Sequence, residues 1–123
     1  MTDGRSTRFP TFVYGRGEEP DPRFTLANER TFLAWIRTGL ALIAGGVAVN
    51  AVRLPIPDGV QIAVVLILLV LGLVVPPLAW VNWAVTERAL RLGRPLPGSL
   101  VTLPLAVGVL LVAALVGLGI LLQ

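Results

Sequence analysis

Residues 60–75 read VQIAVVLILLVLGLVV, a run without a charge and with Gln61 as its one strongly polar side chain. The apolar pattern continues past Pro76-Pro77 to about residue 85, which is long enough to cross a hydrocarbon core of about 30 Å. Two further stretches are of the same kind, and in lipid such segments must be helical because their backbone groups have to bond internally. The sequence therefore predicts an all-α membrane protein with three transmembrane helices, at about residues 25–52, 60–85 and 100–122.

Composition supports the membrane assignment and excludes several function classes. Hydrophobic residues make up 55% of the 123 residues and charged residues 14%, more apolar surface than a soluble domain of this size can bury. The lipid bilayer is thus the first partner. The net charge of +3 is spread beside apolar runs and forms no basic stripe interleaved with aromatics, so no nucleic-acid partner is predicted.

Catalytic chemistry is not expected either. Cysteine and histidine are absent, which excludes disulfides, thiolate or imidazole metal ligands and histidine acid–base catalysis. Asp58 and Glu87 fall on opposite sides of the membrane, and no nucleophile–base pair is present. We expect no enzyme, no catalytic residue, no metal and no cofactor.

The remaining segments divide the chain into an arm and a bundle. Residues 1–23 are polar and rich in Pro, Gly and Arg, and they are predicted to be a flexible arm. Residues 24–123 form the three-helix domain. Proline and glycine end the helices at two connectors, 53–59 and 86–98, and Pro76-Pro77 predicts a kink in the second helix.

Arginine counting sets the orientation. The N-terminal flank and the second connector are rich in arginine, whereas the first connector holds only Arg53. The positive-inside rule therefore puts the N-terminus in the cytoplasm and the C-terminus outside, in the plasma membrane of the cell. The arginines counted on the inner side are Arg16, Arg23, Arg30, Arg37, Arg88, Arg91 and Arg94.

One stretch, residues 28–38 with the sequence NERTFLAWIRT, suggests a binding function. Arg30 and Arg37 are seven residues apart, so they lie within about 20° of each other on a helix. The uncharged part of this helix, 38–52, rises only about 22 Å, which places Arg37 at or just inside the membrane boundary. We expect both arginines to face an inner cavity or a subunit seam, with Glu29 as the nearest counter-charge.

Small residues continue this stripe, and they allow helices to approach closely in lipid. They are Ala41, Ala44 or Gly45, and Ala48. Arg88 and Arg91 either extend a basic vestibule on the same side, bind anionic lipid headgroups or only set the topology. Arg30 and Arg37 themselves have a plainer interpretation as anchors that snorkel to the headgroups. The three tryptophans are predicted to be interface anchors: Trp35, Trp80 and Trp83.

Residues 26–38, LANERTFLAWIRT, closely resemble the opening of the YidH-like family, small bacterial membrane proteins grouped as a domain of unknown function. The resemblance is most specific from Asn28 to Trp35 and at Arg37, and by hydropathy it extends to the C-terminus. The same domain is similar to the membrane part of the vacuolar transporter chaperone complex. That similarity implies a homo-oligomeric ring, five-membered by resemblance, with Arg30 and Arg37 as pore-lining contacts for polyphosphate and Glu29 as their partner.

Two functions follow from these observations. The first is a self-associating bundle with a basic cytoplasmic vestibule for phosphate-like anions or polyphosphate, which guanidinium groups bind in bidentate fashion. The alternative is an accessory or scaffold subunit that binds a partner membrane protein, with the arginines serving only topology and anionic lipid contact.

Overall fold

The computed structural model describes residues 9–123 and has four helices: α1 Thr11–Tyr14, α2 Pro22–Ala51, α3 Asp58–Leu92 and α4 Thr102–Leu121. That part of the chain contains no strand. By length and composition α2, α3 and α4 can each cross a membrane. The predicted fold, an all-α membrane protein with three spanning helices, is confirmed.

The bundle is built around α3. This helix packs against α1, α2 and α4, whereas α2 and α4 do not contact each other within the described residues. With 30 and 35 residues, α2 and α3 are about 45 Å and 52 Å long, well beyond the core of about 30 Å. The parts of the two helices that exceed this length carry the charged residues at the start of α2 and the end of α3. We call this side of the bundle, residues 22–37 and 83–94, the arginine end.

A local signal starts α2 earlier than the sequence prediction did. Asp21 Oδ1 accepts the backbone N–H of Arg23 at 2.9 Å, and Pro22 occupies the first helical turn. The side-chain hydrogen bond from Arg23 to the same carboxylate lowers the pKa of Asp21 from its ordinary value. Thr25 and Asn28 therefore lie inside the helix, where both side chains contact α3.

The C-terminal end of α3 also differs from expectation. The helix continues to Leu92 and stops at Gly93, whose φ of +66° is left-handed. Gly93 donates its N–H to Leu90 O, and Arg94 donates to Ala89 O at 3.0 Å, the pattern of a Schellman cap. Arg88 and Arg91 thus lie on a helix and not in a connector.

Glycine allows α2 and α3 to cross closely. A Cβ placed on Gly72 would lie 2.5 Å from Ile43 Cγ1 and 3.1 Å from the carbonyl oxygen of Gly39. At Gly39 itself, the nearest atoms to such a Cβ belong to Pro76, at 3.5 Å. Because lipid supplies no hydrophobic force between helices, this close approach is a main source of their attraction.

We expect Gly72→Ala to destabilise the α2–α3 pair by about 1–3 kcal/mol, because the new methyl group overlaps Ile43. Gly117→Ala on α4 is the matched control: nothing lies within 4 Å of its Cβ position, and it should be neutral or stabilising by up to about 1 kcal/mol. Reversible unfolding in mixed micelles measures both. Equal stability of the two variants would contradict this packing.

Candidate functional site

A buried polar cluster joins α2 to α3 at the arginine end. Glu87 is 1% exposed, and its carboxylate accepts hydrogen bonds from Thr25 Oγ1 at 2.9 Å and from Asn28 Nδ2 at 3.3 Å. Asn28 also donates to the carbonyl oxygen of Trp83 at 3.1 Å. We call Thr25, Asn28 and Glu87 the polar clasp. Its hydrogen bonds offset the cost of removing a carboxylate from water.

Arg91, one turn beyond Glu87, is held by the N-terminal arm. Its side chain is 0% exposed. The guanidinium donates from Nε to Arg16 O at 2.7 Å, from Nη2 to Tyr14 O at 3.0 Å, and from Nη1 to the carboxylate of Glu19 at 3.0 Å. All three nitrogens therefore have an acceptor in the arm.

The arm closes over this arginine through its own backbone. Gly17 has a φ of +61°, and a Cβ there would collide with the carbonyl of Arg91. Glu18 donates its N–H to that carbonyl oxygen at 3.0 Å, and Val13 is fully buried. The first eight residues of the predicted arm lie outside the described residues, and flexibility of the arm stays a prediction.

Arg88 differs from Arg91 in its surroundings. Its guanidinium carbon lies 4.7 Å from the centre of the Phe12 ring, a cation–π contact. Its Nε is buried and has no hydrogen-bond partner among residues 9–123. The sequence predicted Arg88 and Arg91 as anion contacts. In the structure the guanidinium of Arg91 bonds to the arm, and Arg88 is half-buried beside Phe12 of the arm.

The predicted stripe on α2 faces away from α3. Arg30 and Arg37 are exposed, and among the described residues neither forms an ion pair with Glu29, which is exposed as well. Ala41 and Ala48 are exposed. Gly45 is half-buried at the edge, with its Cβ position 3.9 Å from Leu68. The structure therefore does not bring Arg30 and Arg37 together with Arg88 and Arg91.

The exposed stripe is longer and more regular than the sequence prediction. Alanine or arginine recurs at alternating spacings of three and four residues along α2, on the side opposite the clasp. Every member is exposed: Ala27, Arg30, Ala34, Arg37, Ala41, Ala44, Ala48 and Ala51. We call this set the Ala/Arg stripe. Ala27, Ala34 and Ala51 were missed, although Ala34 lies seven residues and Ala27 fourteen residues before Ala41 in the sequence.

The three tryptophans differ in how far they are buried and in what they contact. Trp35 packs against the buried core of the bundle, and Trp80 is 42% exposed. Trp83 lies beside Trp80 and Tyr14, at ring-centre distances of 6.2 Å and 6.3 Å. Their role as interface anchors stays a prediction.

The fold and the buried cluster define a class: a small multi-pass membrane protein in which a polar clasp joins two extended helices. The family model described as "Domain of unknown function (DUF202)" matches residues 23–89, a range that contains the whole clasp. The chain belongs to this YidH-like family.

Individual relatives agree with the family match. The Inner membrane protein YidH of Escherichia coli K12 is 41% identical over 112 residues, covering 86% of this chain and 92% of YidH. An uncharacterized protein of Mycobacterium tuberculosis H37Rv is 46% identical over 81 residues, covering 64% of this chain and 66% of that protein. The alignment thus spans slightly less than two thirds of the mycobacterial relative. No solved structure matches the chain.

We expect Asn28→Ala to lower the stability of the bundle by about 1–3 kcal/mol, because Glu87 and the Trp83 carbonyl each lose a buried donor. Asn50→Ala, at an exposed position on the same helix, should change stability by less than about 0.5 kcal/mol. Reversible unfolding in mixed micelles is the measurement. A small effect at Asn28 would show that the clasp does not hold the two helices together.

Proposed function

We propose that this chain is a plasma-membrane subunit that self-associates through the Ala/Arg stripe and forms a basic vestibule for phosphate-like anions or polyphosphate. The arginine end faces the cytoplasm and the C-terminus lies outside, as the positive-inside rule requires. The observation that carries the proposal is the stripe: it is regular, it has no partner within the described chain, and two of its first four members are arginines. No catalytic chemistry is assigned.

The spacing of the stripe supports a second copy of the chain as its occupant. Alternating steps of three and four residues give the seam of two helices packed at a small angle, and alanine lets their backbones approach closely. Copies inserted by the same rule are parallel, so like positions of the stripe meet at the same depth. Along the whole seam, each residue of one copy therefore lies at the same depth as the equivalent residue of its neighbour.

The charges beside the seam favour a ring over a dry two-fold pair. In a two-fold pair Arg30 and Arg37 would face their own copies at close range, which is unfavourable. In a ring they point toward a wet centre, and Glu29, exposed and unpaired within the described chain, lies on the flank that meets a neighbouring copy. A five-membered ring is the number that the family resemblance implies.

An anion suits such a centre. Guanidinium groups bind phosphate oxygens through paired hydrogen bonds, and rings of arginine are a known way to select anions in pores. Arg37 lies nearest the uncharged part of α2, so it is the residue that an anion entering from the arginine end meets last.

The second candidate is an accessory or scaffold subunit. The same stripe would then pack against a partner membrane protein, and the arginines would contact only water and anionic headgroups. The exposed alanines favour this function as much as self-association, and the two are separated by the experiments below.

We expect Ala44→Cys to form disulfide-linked dimers under mild oxidation in membranes, because seam residues of adjacent copies come within the Cα distance of about 7 Å that a disulfide needs. The chain has no cysteine of its own, so each variant carries a single thiol. Leu110→Cys on α4, 70% exposed, is the control and should cross-link far less. Cross-linking that is equal at both positions, or absent at Ala44, would count against the seam.

We expect reconstituted protein to conduct small anions, with Arg37→Gln weakening the apparent anion affinity about tenfold through loss of a charged hydrogen bond. Arg53→Gln removes the same charge from the opposite end of the bundle and should have little effect. Bilayer conductance at graded phosphate concentrations measures both. Efficient cross-linking at Ala44 without anion conductance would reject the vestibule and leave the scaffold function.

A further inference from the structure

A small pocket opens at the arginine end between α2, α3 and the connector that follows α3. Its volume is about 220 Å³, below the usual size of a drug-like ligand site. Four polar side chains from the two helices line it: Asn28, Thr31, Asn82 and Thr86. Phe24, Leu90 and Leu96 supply apolar walls.

The hydrogen bonds of the two asparagines determine which of their side-chain atoms remain available to a ligand in the pocket. Asn28 uses Nδ2 toward two acceptors, the Trp83 carbonyl and Glu87, so its Oδ1 is left without a partner among the described residues. Asn82 Oδ1 accepts a hydrogen bond from the N–H of Leu100 at 3.3 Å, and Asn82 Nδ2 has no partner among the described residues. Both residues are more than nine-tenths buried, at 7% and 8% exposure.

The pocket therefore offers one acceptor and one donor that a ligand can satisfy. Thr86 adds a hydroxyl with no hydrogen bond to the described residues, while the Thr31 hydroxyl already donates to Ala27 O at 3.1 Å. A ligand hydroxyl both donates and accepts, so it fits this combination, whereas a group with acceptors alone does not. The asparagine side chains are mostly buried, so a ligand that bonds these atoms has to enter the pocket to reach them.

The rim of the pocket points to a lipid. Phe24 is 57% exposed and Leu96 is 60% exposed, and both lie beside charged residues at the boundary between the apolar spans and water. Arg94 precedes the lining residue Leu96 by two residues, while no carboxylate lines the pocket. Glu87 lies behind Asn28, with its carboxylate engaged in the clasp.

We propose that this pocket binds the hydroxylated headgroup of an anionic glycerophospholipid, of the phosphatidylglycerol type. A headgroup hydroxyl donates to Asn28 Oδ1 and accepts from Asn82 Nδ2 or Thr86. The phosphate lies toward Arg94 at the rim, and the acyl chains run along the exposed apolar side chains. The pocket is complete within one copy, so this inference does not depend on self-association or anion transport.

Delipidated protein in neutral detergent provides the test, with bound lipid counted by native mass spectrometry. Phosphatidylmethanol has the same charge as phosphatidylglycerol but no headgroup hydroxyl. Wild-type protein should retain phosphatidylglycerol about fivefold better, the effect of about one neutral hydrogen bond. Equal retention of the two lipids would overturn the proposal.

Two variants assign the preference to this pocket. Thr86→Val removes the hydroxyl at nearly constant volume and should reduce the preference. Asn82→Asp keeps the acceptor for Leu100 and puts a negative charge near the phosphate, so it should lower retention of both anionic lipids. Thr38→Val is the control, since its hydroxyl bonds Ala34 O at 3.2 Å outside the pocket.

The remaining outcomes reject the assignment. A preference for phosphatidylglycerol that survives both pocket variants would place the lipid elsewhere. An equal loss in Thr38→Val would show a general effect of the substitutions. Displacement of the lipid by free glycerol at comparable concentration would show that the pocket takes any small polyol, and the lipid specificity would be wrong.

Discussion

The hydrogen bonds from Thr25 and Asn28 to Glu87 set the rotation of α2 on α3, and much else in the bundle follows from that rotation. With Asn28 turned toward Glu87, the residues on the same face of α2 further along, including Gly39 and Gly46, also meet α3. The opposite face then has to carry the Ala/Arg stripe. A contact at one end of the helix thereby determines which side of it is offered to other molecules.

Membrane physics explains why such a polar contact has so much influence. Apolar side chains lose little by facing lipid in place of another helix, so they orient α2 only weakly. A buried carboxylate and a buried amide have far fewer acceptable arrangements, because an unpaired polar group is costly there. Close approach at Gly72 and Gly39 then adds attraction, but only in the register that the clasp permits.

The sequence was sufficient for the spanning helices and insufficient for the arginine end. Three long apolar runs have one solution in lipid, so the fold class could be predicted from residues such as those at 60–75. The end of α3 was misjudged because Arg88 and Arg91 were interpreted as connector residues, although Gly93 was a visible stop signal. The contact of Asn28 with Glu87 was not predicted, since nothing local shows that its partner is 59 residues away.

The arginines of the predicted site depend partly on local properties of the sequence and partly on long-range contacts. The seven-residue spacing of Arg30 and Arg37 is a local property, so their position on one face of the helix could be predicted. Burial of Arg91 is a long-range property, because its partners lie in the arm. The composition of the sequence alone does not show which arginine near the membrane forms contacts inside the protein.

Glu87 and Arg91 show how the last turns of α3 organise this end of the protein. They are four residues apart with the acid first, the order that favours a salt bridge along an isolated helix. In the folded chain they do not pair; Glu87 bonds to α2, and Arg91 bonds to the arm. The local pair is worth only about 0.5 kcal/mol, whereas each long-range set satisfies several buried atoms at once. Two opposite charges on one helix thus hold two different segments, so α2 and the arm are both positioned by the same two turns of α3.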